Sequence, residues 1–520
     1  MKYFSKAKPQ PSSESKGSPS PRPSPAGRGR SFRESLDNRS TVTSSRVAKL
    51  SSLSPGERAG VRAGFIFNGV LSAKAVRWIC GVSYLCVLAE GSFAAQHNNE
   101  RLIGVAKIDI TPAYPIRLTG YAVRKKESEG VAQHLWAKAL AIGSDVEHPA
   151  ILITVDNCGV PVNVRNEVVS RLKKAGRVQP ERVAICSSHT HSGPCVQGFA
   201  PNIFGEPLPP EHQAHVDRYT GELIGALERV SLQALAARRP ALLSRGQGQA
   251  GFAANRRTKG GPVDHQLPAL FVVDPDGGLR AVFATYACHC TTLGGELNEI
   301  NGDWAGYAQE EIERDHPGAI ALISLGCAGD ANPNPRSTVE LVKKYGREIA
   351  SAINDIRTNA LTPVNGKLVC RTKQIELPFD TLPTRAEWEA RAKDTSYPGS
   401  HARLNLARLD RGEQLPAKLP YMLQSWVFGD QLAMLFLPGE VVVDYSVRLK
   451  QEFDATRLWI NAYANDVPCY IPSRRIWQEG GYEGGGAMVY YDRPTRLAEN
   501  TEDMIISAVH EIIPSRFLHH

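Results

Sequence analysis

Along this chain, short apolar runs alternate with helical patterns, and nearly every apolar run stops at a Gly, a Pro or a chemistry-bearing side chain. Ala150 to Val155 reads as a buried strand ending in Asp156-Asn157. Val183 to Cys186, Phe283 to Cys288, Ala319 to Ser324, Leu432 to Leu437 and Trp459 to Tyr463 read the same way, because largely apolar stretches of this length bury both faces of a strand. Leu267 to Val273 and Leu279 to Tyr286 flank Asp274-Pro275-Asp276-Gly277-Gly278, residues that favour a hairpin turn. Trp426 to Leu437, with Gly429-Asp430 at its centre, predicts a second hairpin. Helical spacing appears over Val164 to Lys174, His212 to Ala237, Trp304 to Arg314, Val339 to Ile356, Glu440 to Phe453 and Glu502 to Ile512. No internal repeat and no linker interrupts residues 101–512. The expected fold class is α/β of the mixed α+β kind, a large mixed β-sheet core covered by helices.

What ends the strands matters most. Val183 to Cys186 runs into Ser187-Ser188-His189-Thr190-His191-Ser192-Gly193-Pro194. Residues i and i+2 of an extended chain point to one side, so both rings can face one cavity, one as a ligand and the other as an acid or base. The next strands end at His289, at Gly326-Cys327-Ala328-Gly329-Asp330-Ala331-Asn332, at Pro438-Gly439-Glu440, and at Asn465-Asp466 followed by Tyr470. Open α/β sheets place their sites outside the carboxyl ends of strands. Imidazoles and carboxylates delivered to one edge suit a catalytic zinc, which keeps one position open for water.

The ordered set of motifs resembles the neutral (non-lysosomal) ceramidase family over roughly residues 101–512. The resembling stretches are Gly104-Val105-Ala106-Lys107-Ile108-Asp109-Ile110-Thr111-Pro112, Gly120-Tyr121-Ala122, His189-Thr190-His191-Ser192-Gly193-Pro194 and Asn255-Arg256. His289 with Gly302-Asp303-Trp304-Ala305-Gly306-Tyr307-Ala308, Gly329-Asp330, Pro438-Gly439-Glu440, and Tyr470 with Tyr482-Glu483-Gly484 complete it. The resemblance implies a zinc enzyme that hydrolyses the amide of N-acylsphingosines. It implies zinc ligands at His189, His289, Glu440 and Tyr470, and site residues at His191, Arg256 and Tyr482. His191 is the expected proton carrier, and Arg256 and Tyr482 the expected donors to a carbonyl oxygen or a substrate hydroxyl.

The chain departs from the family in two places. Asn332-Pro333-Asn334 stands where the family carries Ser-Pro-Asn, so an amide that can donate but cannot attack replaces a hydroxyl. Asn332 is therefore read as a polar site residue, and zinc-activated water as the nucleophile. The sequence ends soon after Ile512, and the carboxyl-terminal immunoglobulin-like domain of longer family members is expected to be missing. Asp303 and Asp330 each follow a strand near an expected ligand, where they either cap helices or orient ligand imidazoles. Tyr490 and Tyr491 read as packing or surface residues.

Composition alters the picture mainly at the amino-terminal end. Residues 1–65 are rich in Ser, Pro, Arg and Gly and hold 13 Lys and Arg against 4 Asp and Glu, an excess larger than the net +8 of the whole chain. That leader is expected to be disordered, and the near-neutral remainder argues against a nucleic-acid partner. Within residues 66–95, Lys74 and Arg77 precede the apolar Trp78 to Ala89 and the small residues Ser92 to Ala95, a signal-peptide-like segment too short for a spanning helix. Residues 96–520 are read as one catalytic domain, secreted or periplasmic, with the uncleaved apolar segment as an anchor in the alternative case. The chain has ten cysteines, scattered rather than arranged as a disulfide scaffold. Cys288 and Cys290 around His289 read as buried small side chains rather than thiolate ligands.

The leading expectation is a secreted zinc amidohydrolase acting on an N-acyl lipid or other small amide, with peripheral membrane contact allowed for and oligomeric state left open. The alternatives are a zinc hydrolase of another N-acyl amine or ester, and a secreted binding protein that keeps the fold without turnover.

Overall fold

Every residue of the strand Ala150–Val155 is buried, so this strand needs cover on both faces. The computed structural model describes residues 100–519 apart from 177 and 360. The leader and signal-like expectations for residues 1–95 lie outside the described residues. The strand belongs to a nine-stranded sheet with the order Ile320–Leu325, Leu279–Tyr286, Gln266–Val273, Arg239–Gln249, Arg101–Asp109, Trp136–Ile142, Ala150–Val155, Val183–Ser187, with Thr362–Pro363 paired to Arg239–Gln249. The pairings along this path are antiparallel except at its two ends, where Val183–Ser187 and Ile320–Leu325 each lie parallel to their neighbour. The architecture is thus the expected mixed sheet with helices.

Side chains alternate across this sheet as the pleat demands. Ile151, Ile153 and Val155 pack on one face with Val164, Val168 and Leu223, from the helices Val162–Lys174 and Pro210–Ala236. Ala150 and Leu152 pack on the other face with Trp426, Phe436 and Trp459. These three belong to a second sheet of four strands, Leu368–Pro378, Lys418–Phe428, Leu432–Phe436 and Leu458–Asn461. Its outer face carries Leu423, Leu435 and Ile460, which pack with Ile505 and Val509 of the helix Thr501–Ile512. The molecule is therefore layered helix, sheet, sheet, helix. The sequence reading contained the strands of the second sheet but not its stacking on the first.

Most predicted elements form within two or three residues of their expected bounds. Thr338 accepts from Leu341 N and caps the helix Val339–Thr358, whose Val342, Tyr345, Ile349, Ile353 and Ile356 form the spacing-three-and-four stripe that packs inward. The predicted turn closes between Asp274 and Gly278, with Gly277 at φ +90°. The exception is Glu440. It lies in the two-residue strand Glu440–Val441, and the helix begins only at Val443.

Candidate metal centre

His189 and His289 leave different strands of the large sheet, and a parallel bridge between Thr190 and Cys290 brings their segments side by side. His189 follows the strand Val183–Ser187 by two residues. The expected extended geometry is absent there, because its φ is +56°. A non-glycine residue pays roughly 1–2 kcal/mol for that conformation, and such strain concentrates at functional sites. It is held by the bond from His189 N to Asn157 O at 2.9 Å and from Ser188 N to Val155 O at 2.9 Å. Glu440 follows the strand Leu432–Phe436 of the second sheet, and its short strand pairs in parallel with Tyr470–Ile471, Glu440 opposite Tyr470. Gly329 packs so closely on this ladder that an added Cβ would come within 2.6 Å of Glu440 O.

Three of the four expected ligands converge. Glu440 Oε2 lies 3.0 Å from His289 Nε2 and 3.3 Å from His189 Nε2, with all three residues buried. The Tyr470 hydroxyl stands 3.5 Å from His289 Nε2. Both imidazoles are oriented by backbone. His189 Nδ1 meets Cys158 O at 2.5 Å, and His289 Nδ1 meets Ala328 O at 2.7 Å. A carbonyl only accepts, so Nδ1 carries the proton in each ring and the neutral ring presents a lone pair at Nε2. Two nitrogen lone pairs and a carboxylate oxygen then face one another within 4.8 Å, an arrangement of acceptors that calls for a cation. Burial opposes a charge on His189, yet the neighbouring Cys158 and Glu440 raise its pKa to about 10. Burial likewise opposes ionisation of Glu440, and His189 and His289 hold it well below the ordinary carboxylate range. Burial and the Arg256 guanidinium push His289 down to about 4. The nitrogen and oxygen donor set fits zinc.

His191 Nε2 lies 3.1 Å from His189 Nε2, so both rings do face one cavity, as the i, i+2 spacing predicted. An added Cβ on Gly120 would meet His191 Cγ at 2.4 Å, and only glycine lets the chain pass this ring. Arg256 directs its donors to Glu483 Oε1 at 2.7 Å, the Tyr470 hydroxyl at 3.0 Å and Asn332 Oδ1 at 3.4 Å. It therefore holds neighbouring groups in place. Tyr482 lies over Tyr470 with ring centroids 5.3 Å apart and is 46% exposed, which leaves its side chain within reach of an entering molecule.

Asp303 and Asp330 are placed on backbone rather than on imidazoles. Asp303 accepts from Leu293 N and Trp304 N, and Trp304 Nε1 in turn donates to His289 O at 2.9 Å. Asp330 accepts from Val443 N at 2.8 Å and Asn255 Nδ2 at 2.9 Å, and its carbonyl receives Arg256 N. Cys288 and Cys290 are buried, burial pushes both thiols up, and neither joins a potential ligand cluster among the described residues.

Three groups at the site were absent from the sequence expectations. Tyr491, read as packing, donates its hydroxyl to Glu440 Oε1. Tyr463 places its ring 4.4 Å from that of His189. Cys158 Sγ lies 3.6 Å from His189 Nδ1, and Cys158, His189 and His191 form a second potential cluster. That cluster competes for the Nδ1 already bonded to Cys158 O, so the His189, His289 and Glu440 set fits a cation better. A tight inner cavity of about 130 Å³, lined by Phe199, Ile203 and Tyr491 as well as the two histidines of the His189-Thr190-His191 run, opens past Tyr121 and Tyr482 into an outer mouth of about 590 Å³.

Residues 101–340 match the family described as neutral/alkaline non-lysosomal ceramidase, N-terminal. Neutral ceramidase from Pseudomonas aeruginosa is 24% identical over 498 residues, covering 78% of this chain and 71% of that protein. Neutral ceramidase 1 of Arabidopsis thaliana is 26% identical over 284 residues, 51% of this chain and 35% of that protein. The crystal structure of the Pseudomonas aeruginosa neutral ceramidase superimposes with a TM-score of 0.64 at 21% identity, covering 79% of this chain and 74% of that one.

Proposed function

We propose, from the match of residues 101–340 to the neutral ceramidase family, that the protein is an exported, zinc-dependent amidohydrolase that cleaves the amide bond of an N-acyl lipid. The observation that carries this reading is the convergence of His189 Nε2, His289 Nε2 and Glu440 Oε2 on one buried point beside an open cavity. His189, His289 and Glu440 hold the metal, with Tyr470 as the fourth ligand. When bound, zinc supplies a Lewis acid and lowers the pKa of water to about 7.

The protein's own groups do the rest. Tyr491 fixes the rotation of Glu440 through Oε1 and so aims Oε2 inward. His191 faces the cavity with Nδ1 buried and without a partner among the described residues, and it carries a proton from the attacking water to the leaving amine. Arg256 can only donate, so Asn332 turns Oδ1 toward it and toward Thr291, 3.3 Å away. The Asn332 amide N–H₂ then faces the mouth, where it and the Tyr482 hydroxyl donate to the oxygen that gains charge. No step requires a side-chain nucleophile, which agrees with Asn332 in place of serine.

The test is zinc content of the purified protein together with hydrolysis of a panel of N-acyl amines that includes ceramide. Zinc at one per chain with amide cleavage supports the reading. Zinc binding without cleavage of any amide or ester would leave the fold as a binding protein.

A further inference from the structure

The outer mouth contains three guanidinium groups and two carboxylates, and the pairing among them is unequal. Glu483 takes Arg256 Nε at 2.7 Å on one oxygen and Arg257 Nη1 at 2.6 Å on the other. Arg257 Nη2 also reaches Glu479 Oε2 at 3.1 Å and Gly480 O at 3.0 Å. Both arginines are thus paired with carboxylates. Arg336 is not. It lines the same mouth, half-buried. Among the described residues its guanidinium has one polar contact, Nη2 to the Tyr121 hydroxyl at 3.4 Å, and no carboxylate.

Tyr121 is itself fixed, since its hydroxyl donates to Leu293 O at 2.6 Å. That leaves the phenol oxygen as an acceptor that steadies Arg336 without cancelling its charge. Arg336 also sits four positions beyond Asn332, and both line this space together with Thr258. A partly desolvated guanidinium with four open N–H donors is arranged to receive an anion. One uncompensated positive charge matches one negative charge.

We propose that the substrate carries a carboxylate on the amine side of its scissile amide, and that Arg336 selects it. The inference rests on the amidohydrolase reading and narrows its substrate class to N-acyl amino acids. The inner cavity accepts the apolar acyl arm against Phe199 and Ile203, the amide lies between the two chambers, and the carboxylate points outward to Arg336. Charge-assisted hydrogen bonds of this kind discriminate by about 10- to 100-fold.

The experiment compares the zinc-loaded full chain on N-dodecanoylglycine, its neutral carboxamide, and the phosphate monoester of N-dodecanoylethanolamine. Each is measured as kcat/KM and, by calorimetry, as Kd. The carboxylate is expected to be preferred over the carboxamide by about 10- to 100-fold, mainly through KM. In Arg336→Gln that ratio falls to near unity, and Arg336→Lys keeps part of it. Equal values for carboxylate and carboxamide, or a ratio that Arg336→Gln leaves intact, overturn the proposal. A stronger Arg336-dependent preference for the phosphate also overturns it, by making the ligand a phosphomonoester. If nothing is hydrolysed but calorimetry shows the Arg336-dependent preference, the hydrolase reading fails and only the carboxylate-binding role of Arg336 stands. If amides are cleaved without regard to charge, the reverse holds.

Discussion

The Tyr491 hydroxyl donates to Oε1 of Glu440, the carboxylate oxygen turned away from the histidines, while Oε2 faces His189 and His289. Burial pushes the Tyr491 phenol up, so it remains a donor at any pH the protein meets. A buried carboxylate bonded in this way has one free oxygen and one orientation. Tyr491 thereby sets the orientation of one member of the candidate metal cluster.

Tyr491→Phe is expected to weaken zinc binding by about 10- to 100-fold, the usual effect of removing a group that orients a ligand. Competition against a chromophoric chelator measures it. Unchanged affinity would show that the ladder pairing with Tyr470 alone suffices to hold Glu440.

The two histidines of the His189-Thr190-His191 run predict different losses. His189→Ala, like His289→Ala, removes a ligand and should abolish both zinc binding and turnover. His191→Ala should keep the metal and slow catalysis by about 10²–10⁴-fold. Metal analysis of the purified variants separates the roles, and equal zinc loss in all three would make His191 a ligand.

Asn332→Ser restores the hydroxyl of the resembling family. Zinc content should not change, because Asn332 touches Arg256 and Thr291 rather than the ligand cluster. Rate and substrate preference should change modestly, since a hydroxyl still donates from the same strand. Steady-state kinetics on a fixed N-acyl panel reads the result. A large gain on ceramide alone would show that this position governs substrate choice.

A pH-dependent prediction comes from Asp492, away from the metal ligands. Arg408 Nη1 donates to its Oδ1 at 2.7 Å, and His401 Nε2 lies 3.3 Å from that oxygen. Burial opposes the charge, but His401 and Arg408 lower the carboxyl pKa to about 2. The folded value thus lies below the unfolded one of about 3.9. The stabilisation is complete above about pH 4 and is lost as pH falls toward 2. Asp492→Asn should cost about 1–2 kcal/mol near neutral pH after allowance for partial exposure, with the gap closing in acid. Urea unfolding at stepped pH tests it, and a gap that stays constant would assign the loss to packing.

Elements with a clean period were legible in the sequence. Ala150–Val155 is apolar but for Thr154 because both its faces are covered, and the stripe from Val342 to Ile356 is spaced as a helix face must be. The stacking of one sheet on the other was not legible. Leu432–Phe436 is buried on both faces, and its apolar run reads the same whether a helix or a sheet lies beyond it. Glu440 looked like the start of a helix because nothing local marks the two-residue ladder with Tyr470. Tyr491 follows a glycine-rich stretch with no period to place it, and only the long-range contact with Glu440 reveals its part. His189 and His191 were legible as a pair by spacing, although the left-handed turn at His189 delivers them rather than an extended strand.

The ligand groups are distributed unevenly along the chain and between the sheets. His189 and His289 follow strands of the nine-stranded sheet, whereas Glu440 follows one of the four-stranded sheet and Tyr470 enters through the ladder with it. An ion held by both sets is a rivet through the two layers. Loading can be completed only after the second sheet has docked, so a nascent chain that has emerged through residue 340 owns two imidazoles and no closed site. On the proposed reading, zinc occupancy would report completed assembly of both sheets, and chelation should loosen the layers rather than merely silence the pocket.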